Sequence, residues 1–243
     1  MHLLSLASIL AIAGSVNAII GGTAATKDDA PFIAGLQQGD QYFCAGSLIS
    51  EKHILTSAAC IKDQPAAQVE ARLGSLQHNS GGKLITASSY EIHPEFDSKT
   101  FENNIALITL SEAYSATTPI PLPSNNNTIA DGSTVRISGW GTIIASAREF
   151  PTSLQTTTIQ TVPLSDCQSA YNDILPITED EICAGVSGGG KGTCSHDEGG
   201  PVVDSIGTLV GVTSHAKGCA SASYPDIEMR VGAYLDWINS KLT

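Results

Sequence analysis

Phe43-Cys44-Ala45-Gly46-Ser47-Leu48-Ile49-Ser50-Glu51-Lys52-His53-Ile54-Leu55-Thr56-Ser57-Ala58-Ala59-Cys60 holds two short runs of apolar and β-branched residues, Ala45 to Ser50 and His53 to Thr56, between two cysteines. Runs of about 4 to 8 such residues, bounded by turn formers, read as strands. Outward from here the pattern recurs at Val69 to Leu73, Leu84 to Ala87, Ile105 to Leu110, Val135 to Trp140, Gln155 to Val162 and Leu209 to Ser214. That spacing makes the chain all-β. Helical periodicity is clear only at the end, where Val231, Tyr234, Leu235 and Ile238 recur at three and four residues, with a second short helix around Ser165 to Tyr171. Residues 117–131, with Pro119, Pro121, Pro123 and an Asn-rich tip, have a linker's composition and set the boundary between two β subdomains.

Composition narrows the function. The chain has 243 residues, 42% hydrophobic and 15% charged, which excludes a solvated tail or a fibre. Twelve Lys and Arg against 24 Asp and Glu give a net charge of -12, so neither nucleic acid nor an anionic membrane is an expected partner. Leu3 to Gly14, followed by Val16, Asn17 and Ala18, is too short to span a bilayer and reads as a signal peptide (residues 1–18) cut after Ala18, which makes the protein secreted. The remaining chain, 19–243, carries Cys44, Cys60, Cys167, Cys183, Cys194 and Cys219 without a CxxC pair. In an oxidising compartment six such cysteines imply three disulfides, for which sequence allows about 15 connectivities. Asn126-Asn127-Thr128 is a glycosylation sequon in the exposed linker.

Several motifs resemble the chymotrypsin and trypsin family of secreted serine proteases: Ile19-Ile20-Gly21-Gly22, Phe43 to Leu48, Ile54 to Cys60, Asn104-Ile105-Ala106-Leu107, Ser138-Gly139-Trp140-Gly141 and Cys194 to Pro201. The stretch Cys183 to Asp204 looks most like trypsins of fungal type. The resemblance implies two six-stranded barrels packed around a cleft with a C-terminal helix, and the pairings Cys44 to Cys60, Cys167 to Cys183 and Cys194 to Cys219.

The family's reaction needs a hydroxyl nucleophile, an imidazole base and a carboxylate that orients it. By position these fall on Glu198, Ala59 and Asn104. A methyl group takes no proton, a neutral amide favours the wrong imidazole tautomer, and a carboxylate attacks amides poorly. His196 takes the place of a glycine whose N–H helps form the oxyanion hole. Disabling such a triad costs on the order of 10⁶ in turnover, about 8 kcal/mol. The expectation is therefore a non-enzyme: a secreted homologue that acts by binding an extracellular protein target, as inhibitor, decoy or cofactor, with the oomycete glucanase inhibitor proteins as the functional analogue. The alternative is an active secreted hydrolase, either an atypical serine-type endopeptidase or a metal-dependent one using His196, His215 and Glu198.

The specificity pocket also departs from the family. Its basal aspartate position falls on Gly192, while Asp226 stands where a glycine normally lines the wall beside Ser214, His215 and Ala216. Asp226 either relocates the carboxylate or fills the pocket. Residues 73–83 do not resemble the family's calcium loop, and no cofactor or resident metal is expected. Ile19 and Asp197 match the N-terminal ion pair that orders the family's pocket, and a cut after Ala18 would expose Ile19 directly. A monomer is expected.

Overall fold

The structure is a computed structural model that describes residues 19–126, 129–142 and 151–242; residues 1–18, expected as a signal peptide, and Asn127 and Thr128 of the sequon lie outside the described residues. The first strand, β1 (Thr23–Ala24), is only an edge. The next six are β2 (Ile33–Gln38), β3 (Gln41–Ser50), β4 (His53–Thr56), β5 (Glu70–Leu73), β6 (Lys83–Ile92) and β7 (Ala106–Leu110). They close into an antiparallel barrel in the order β2-β3-β4-β7-β6-β5. The second set is β8 (Thr134–Gly139), β9 (Gln155–Val162), β10 (Glu181–Gly185), β11 (Pro201–Val203), β12 (Leu209–His215) and β13 (Asp226–Arg230). These run in the order β9-β10-β13-β12-β11-β8, and β8 pairs back onto β9 to close the second barrel.

Period-2 patterning decides which side chains enter the barrels. In β5 Ala71 and Leu73 face inward, and in β9 the buried set is Gln155, Thr157, Ile159 and Thr161. The strand expectations at His53–Thr56 and Gln155–Val162 coincide with the observed strands. The others shift by a few residues, and the sequence pattern does not announce β1, β2, β10, β11 and β13. The short helix at Leu164–Tyr171 is present, and at the C-terminus a 3₁₀ turn at Val231–Tyr234 leads into the helix Leu235–Lys241. All three disulfides pair as the family resemblance implies.

One large apolar core runs through both barrels, with Leu48, Ile54, Leu55, Ile105, Ile108, Tyr171 and Ile227 fully buried. A smaller one gathers Ile19 with Val135, Ile137, Ile159, Ala184 and Val202. Polar bonds tie the barrels together where they meet. The Tyr42 hydroxyl donates to the His196 carbonyl at 2.8 Å, and the Ala45 N–H to the Glu198 carbonyl at 2.9 Å. Gly199 permits this approach: its φ is +80°, and a Cβ there would run into the Ala45 carbonyl oxygen and the Thr56 hydroxyl. Gly199→Ala is therefore expected to cost about 3 kcal/mol, from strain at positive φ plus overpacking, read as a fall in melting temperature.

Candidate active site

Residues 193–200 form a turn at the meeting point of the barrels, and backbone amides hold its shape. The carboxylate of Asp197, 1% exposed, accepts from Gly141 N–H at 2.8 Å and from Cys194 N–H at 3.0 Å. Burial outweighs these bonds and pushes its pKa up to about 8, with the Glu198 and Asp226 carboxyls adding in the same direction. Ile19, which sequence pairs with Asp197, is itself fully buried, and Ile20 bridges to Gly192.

Ala59 and Asn104 meet on the first barrel's side of the cleft. The Asn104 side chain is fully buried and bonded at both ends: its carbonyl oxygen accepts from the Ser57 hydroxyl at 2.9 Å and the Ala59 N–H at 2.8 Å, and its amide donates to Ser214 Oγ at 2.8 Å. Because Ser214 Oγ accepts from Asn104, its own proton is available to His215 Nδ1, 3.0 Å away. His215 stacks on Phe101 at 4.7 Å between centroids, while its Nε2 is buried with no partner. Desolvation lowers its pKa to about 4, so the ring is neutral at ordinary pH.

Glu198 faces the cleft from the turn. Its Oε2 accepts from the His196 N–H at 2.6 Å, and burial raises its pKa, opposed by its own backbone N–H and the His196 imidazole. It lines a cavity of about 150 Å³ with Thr193, Ser195, Thr213, His215 and Ala216. Asp226 lies beneath this cavity and does not line it. The residue is 2% exposed, its Oδ2 accepts from Thr193 N–H at 2.6 Å, and a Cβ on Gly192 would come within 2.8 Å of that oxygen. Behind Asp226 sits Glu228, a residue that nothing in the sequence singles out. It is fully buried, with neither carboxyl oxygen in hydrogen-bond geometry. Burial and the neighbouring Asp226 dominate and hold its pKa well above the usual range, with Thr213 and Ser214 lowering it slightly.

The zinc set expected as an alternative is not assembled. The His196 ring turns its Nδ1 to the Phe43 carbonyl at 3.0 Å, and the His215 ring is committed to Ser214 and Phe101. Among the described residues no group of three His, Cys, Asp or Glu side chains is placed to hold a metal ion.

The trypsin family model matches residues 19–238, nearly the whole described chain. The chain belongs to the trypsin family. It is 41% identical over 229 residues to trypsin Blo t 3 of Blomia tropicalis, covering 92% of this chain and 85% of that protein. It is 38% identical to a trypsin of Phaedon cochleariae, over 92% and 88% of the two chains. With trypsin 5G1 of Aedes aegypti it shares 34%, over 90% and 83%. None of these three is a fungal trypsin or a glucanase inhibitor.

These likenesses correct the functional expectation. Relatives named trypsins, matched along almost their whole length, point to a protease and not to a non-catalytic binding protein. The expectation failed because it let three side chains stand for the whole site. Ala59, Asn104 and Glu198 speak to one route, the hydroxyl–imidazole relay, whereas a desolvated carboxyl in a formed cleft has acid–base chemistry of its own.

Proposed function

We propose that this trypsin-family chain is a secreted endopeptidase with an atypical centre, in which the carboxyl of Glu198 does the acid–base work on the attacking water. The observation that carries the reading is Glu198 itself: a desolvated carboxyl with a raised pKa, facing a cavity lined by second-barrel residues such as Thr193, Ser195, Thr213 and His215. General bases work best with a pKa near the working pH, and burial moves Glu198 that way. In this scheme the carboxylate takes a proton from water as the water oxygen bonds to the scissile carbonyl carbon. The same proton then goes to the departing amine as the C–N bond breaks.

Three disulfides and the apolar run at residues 3–14 support secretion. In the secreted form Ile19 is the first residue, its ammonium buried with Asp197. An opposite charge at that point brings an otherwise raised carboxyl pKa down. Asn126, exposed and with its side-chain oxygen held by Arg230, is the glycan acceptor. His196 holds Glu198 through its N–H, and His215 and Ala216 line the cavity beside it, while Asn104, bonded to Ala59 and Ser214, and Asp226, next to Gly192, are buried. The net charge of -12 favours basic stretches of extracellular proteins as substrates.

A broad peptide library, digested by the purified secreted protein with a chelator present and read by mass spectrometry, tests the proposal. Cleavage is expected to be slow, because acid–base catalysis alone contributes about 10² to 10⁴. A library that stays intact over days would overturn the assignment.

A further inference from the structure

We infer that the carboxylate of Glu198 is an internal ligand of a backbone anion cradle, so that the resting cleft is closed by its own side chain. The cradle is made of main-chain donors. His196 N–H reaches Oε2 at 2.6 Å, as short as the charge-assisted class of bonds, and the N–H of Glu198 favours the charged form of the same carboxyl. His196 takes a positive φ, 75°, a conformation uncommon outside glycine, and its ring and carbonyl are anchored on Phe43 and Tyr42. Three such restraints on one residue fix the direction of its N–H. The turn is pinned further by Asp197 N–H to Cys194 O and Gly200 N–H to Asp197 O, at 3.1 and 3.0 Å.

A donor already holding a carboxylate is not open to a second acceptor. A ligand carbonyl or carboxylate must displace Glu198, and an anion must do so against like charge. The block weakens when the carboxyl is protonated, since a neutral acceptor forms weaker bonds with N–H donors. The groups that face it are the His196 imidazole and Asp197 in the turn, the Tyr42 hydroxyl from β3 and His215 across the cavity from β12.

The inference does not require turnover, and its test is spectroscopic. In the ¹⁵N-labelled full-length secreted protein, the His196 amide proton should resonate far downfield at neutral pH. It should move upfield as acid protonates Glu198, and Glu198→Gln should abolish that titration while keeping the side chain's shape. A binding arm uses acetyl-Ala-Ala-Ala with a free C-terminal carboxylate, against the same peptide amidated. Glu198→Ala should prefer the carboxylate form by about tenfold, whereas the unaltered protein should not prefer it. A His196 amide that ignores both pH and Glu198→Gln would overturn the inference, as would a carboxylate preference already present in the unaltered protein. Titration without any peptide cleavage would leave the closed cradle standing and sink the endopeptidase assignment; cleavage with a silent amide would do the reverse.

Discussion

Glu198→Gln is expected to lower peptide hydrolysis by about 10² to 10⁴, the range that a positioned acid–base group contributes. The replacement has nearly the same shape, and its amide oxygen can still accept from the His196 N–H that holds Oε2 at 2.6 Å. What it loses is the capacity to take a proton from water. The fall should therefore lie in kcat, with KM little changed, because the substrate meets the same walls formed by Thr193, Ser195, Thr213 and Ala216. The pH profile provides a separate check. A base works ionised, and burial raises the pKa of Glu198, so activity should climb with pH at a point above that of an ordinary glutamate. Glu198→Gln activity equal to that of the unaltered protein would remove the carboxyl from the mechanism. The melting temperature of Glu198→Gln should be equal or higher, since it removes a buried ionisable group, so lost activity would not come from unfolding.

The strands that were legible in sequence are those rich in β-branched and apolar residues with no glycine among them. His53–Thr56 and Gln155–Val162 are such segments, and both stand where the pattern puts them. Ile33–Gln38 escapes the pattern because Ala34 and Gly35 interrupt its apolar run and no β-branched residue follows Ile33. Its place is set by neighbours, with β3 on one side and β5 on the other, and Gln37 is buried where its side-chain oxygen accepts from Arg72. Pro201–Val203 is too short to announce itself. Asp226–Arg230 is the instructive case: Asp226, Glu228 and Arg230 alternate with Ile227 and Met229, a pattern whose polar face would ordinarily meet water. Instead all five residues are buried. Alternation identifies two faces, but only packing says whether the polar one meets water. The disulfide pairing was legible only through family resemblance. The position of Glu198 was legible as well, but its attachment to the His196 N–H was not, because that depends on a turn held by Asp197.

The same buried carboxyls set the second large expected effect: the melting temperature should fall as pH rises from about 4 to about 8. The sign follows from where the protons sit. In the fold Asp197 is pushed up to about 8, Asp226 to about 6 and Glu181 to about 7, and Glu228 lies well above its ordinary value; their ordinary values are 3.8 for aspartate and 4.5 for glutamate. A folded pKa above the unfolded one means that the native state holds protons the unfolded chain has released. Stability from these groups is complete below about pH 4 and is lost as pH climbs through their folded values, the reverse of a salt-bridged carboxylate. Every tenfold tightening of a carboxyl's hold on its proton corresponds to about 1.4 kcal/mol, so Asp197 alone removes about 5 kcal/mol by pH 8 where it finds no cation. Asp226 raises both Asp197 and Glu228, and Asp197 raises Glu228, so their protons should leave as a coupled set and not one residue at a time. Two variants separate the contributions. Glu228→Gln should raise the melting temperature at pH 8 and leave it unchanged at pH 4, because only the ionised form is penalised. A chain beginning at Ile19 should show a shallower fall than one carrying an extra residue before it, since an ammonium beside Asp197 cancels that share of the cost. Thermal melts of these proteins across this window decide the matter. A profile that rises with pH, or a Glu228→Gln effect as large at pH 4 as at pH 8, would show that these carboxyls are paired in the fold and that their burial is not the controlling cost.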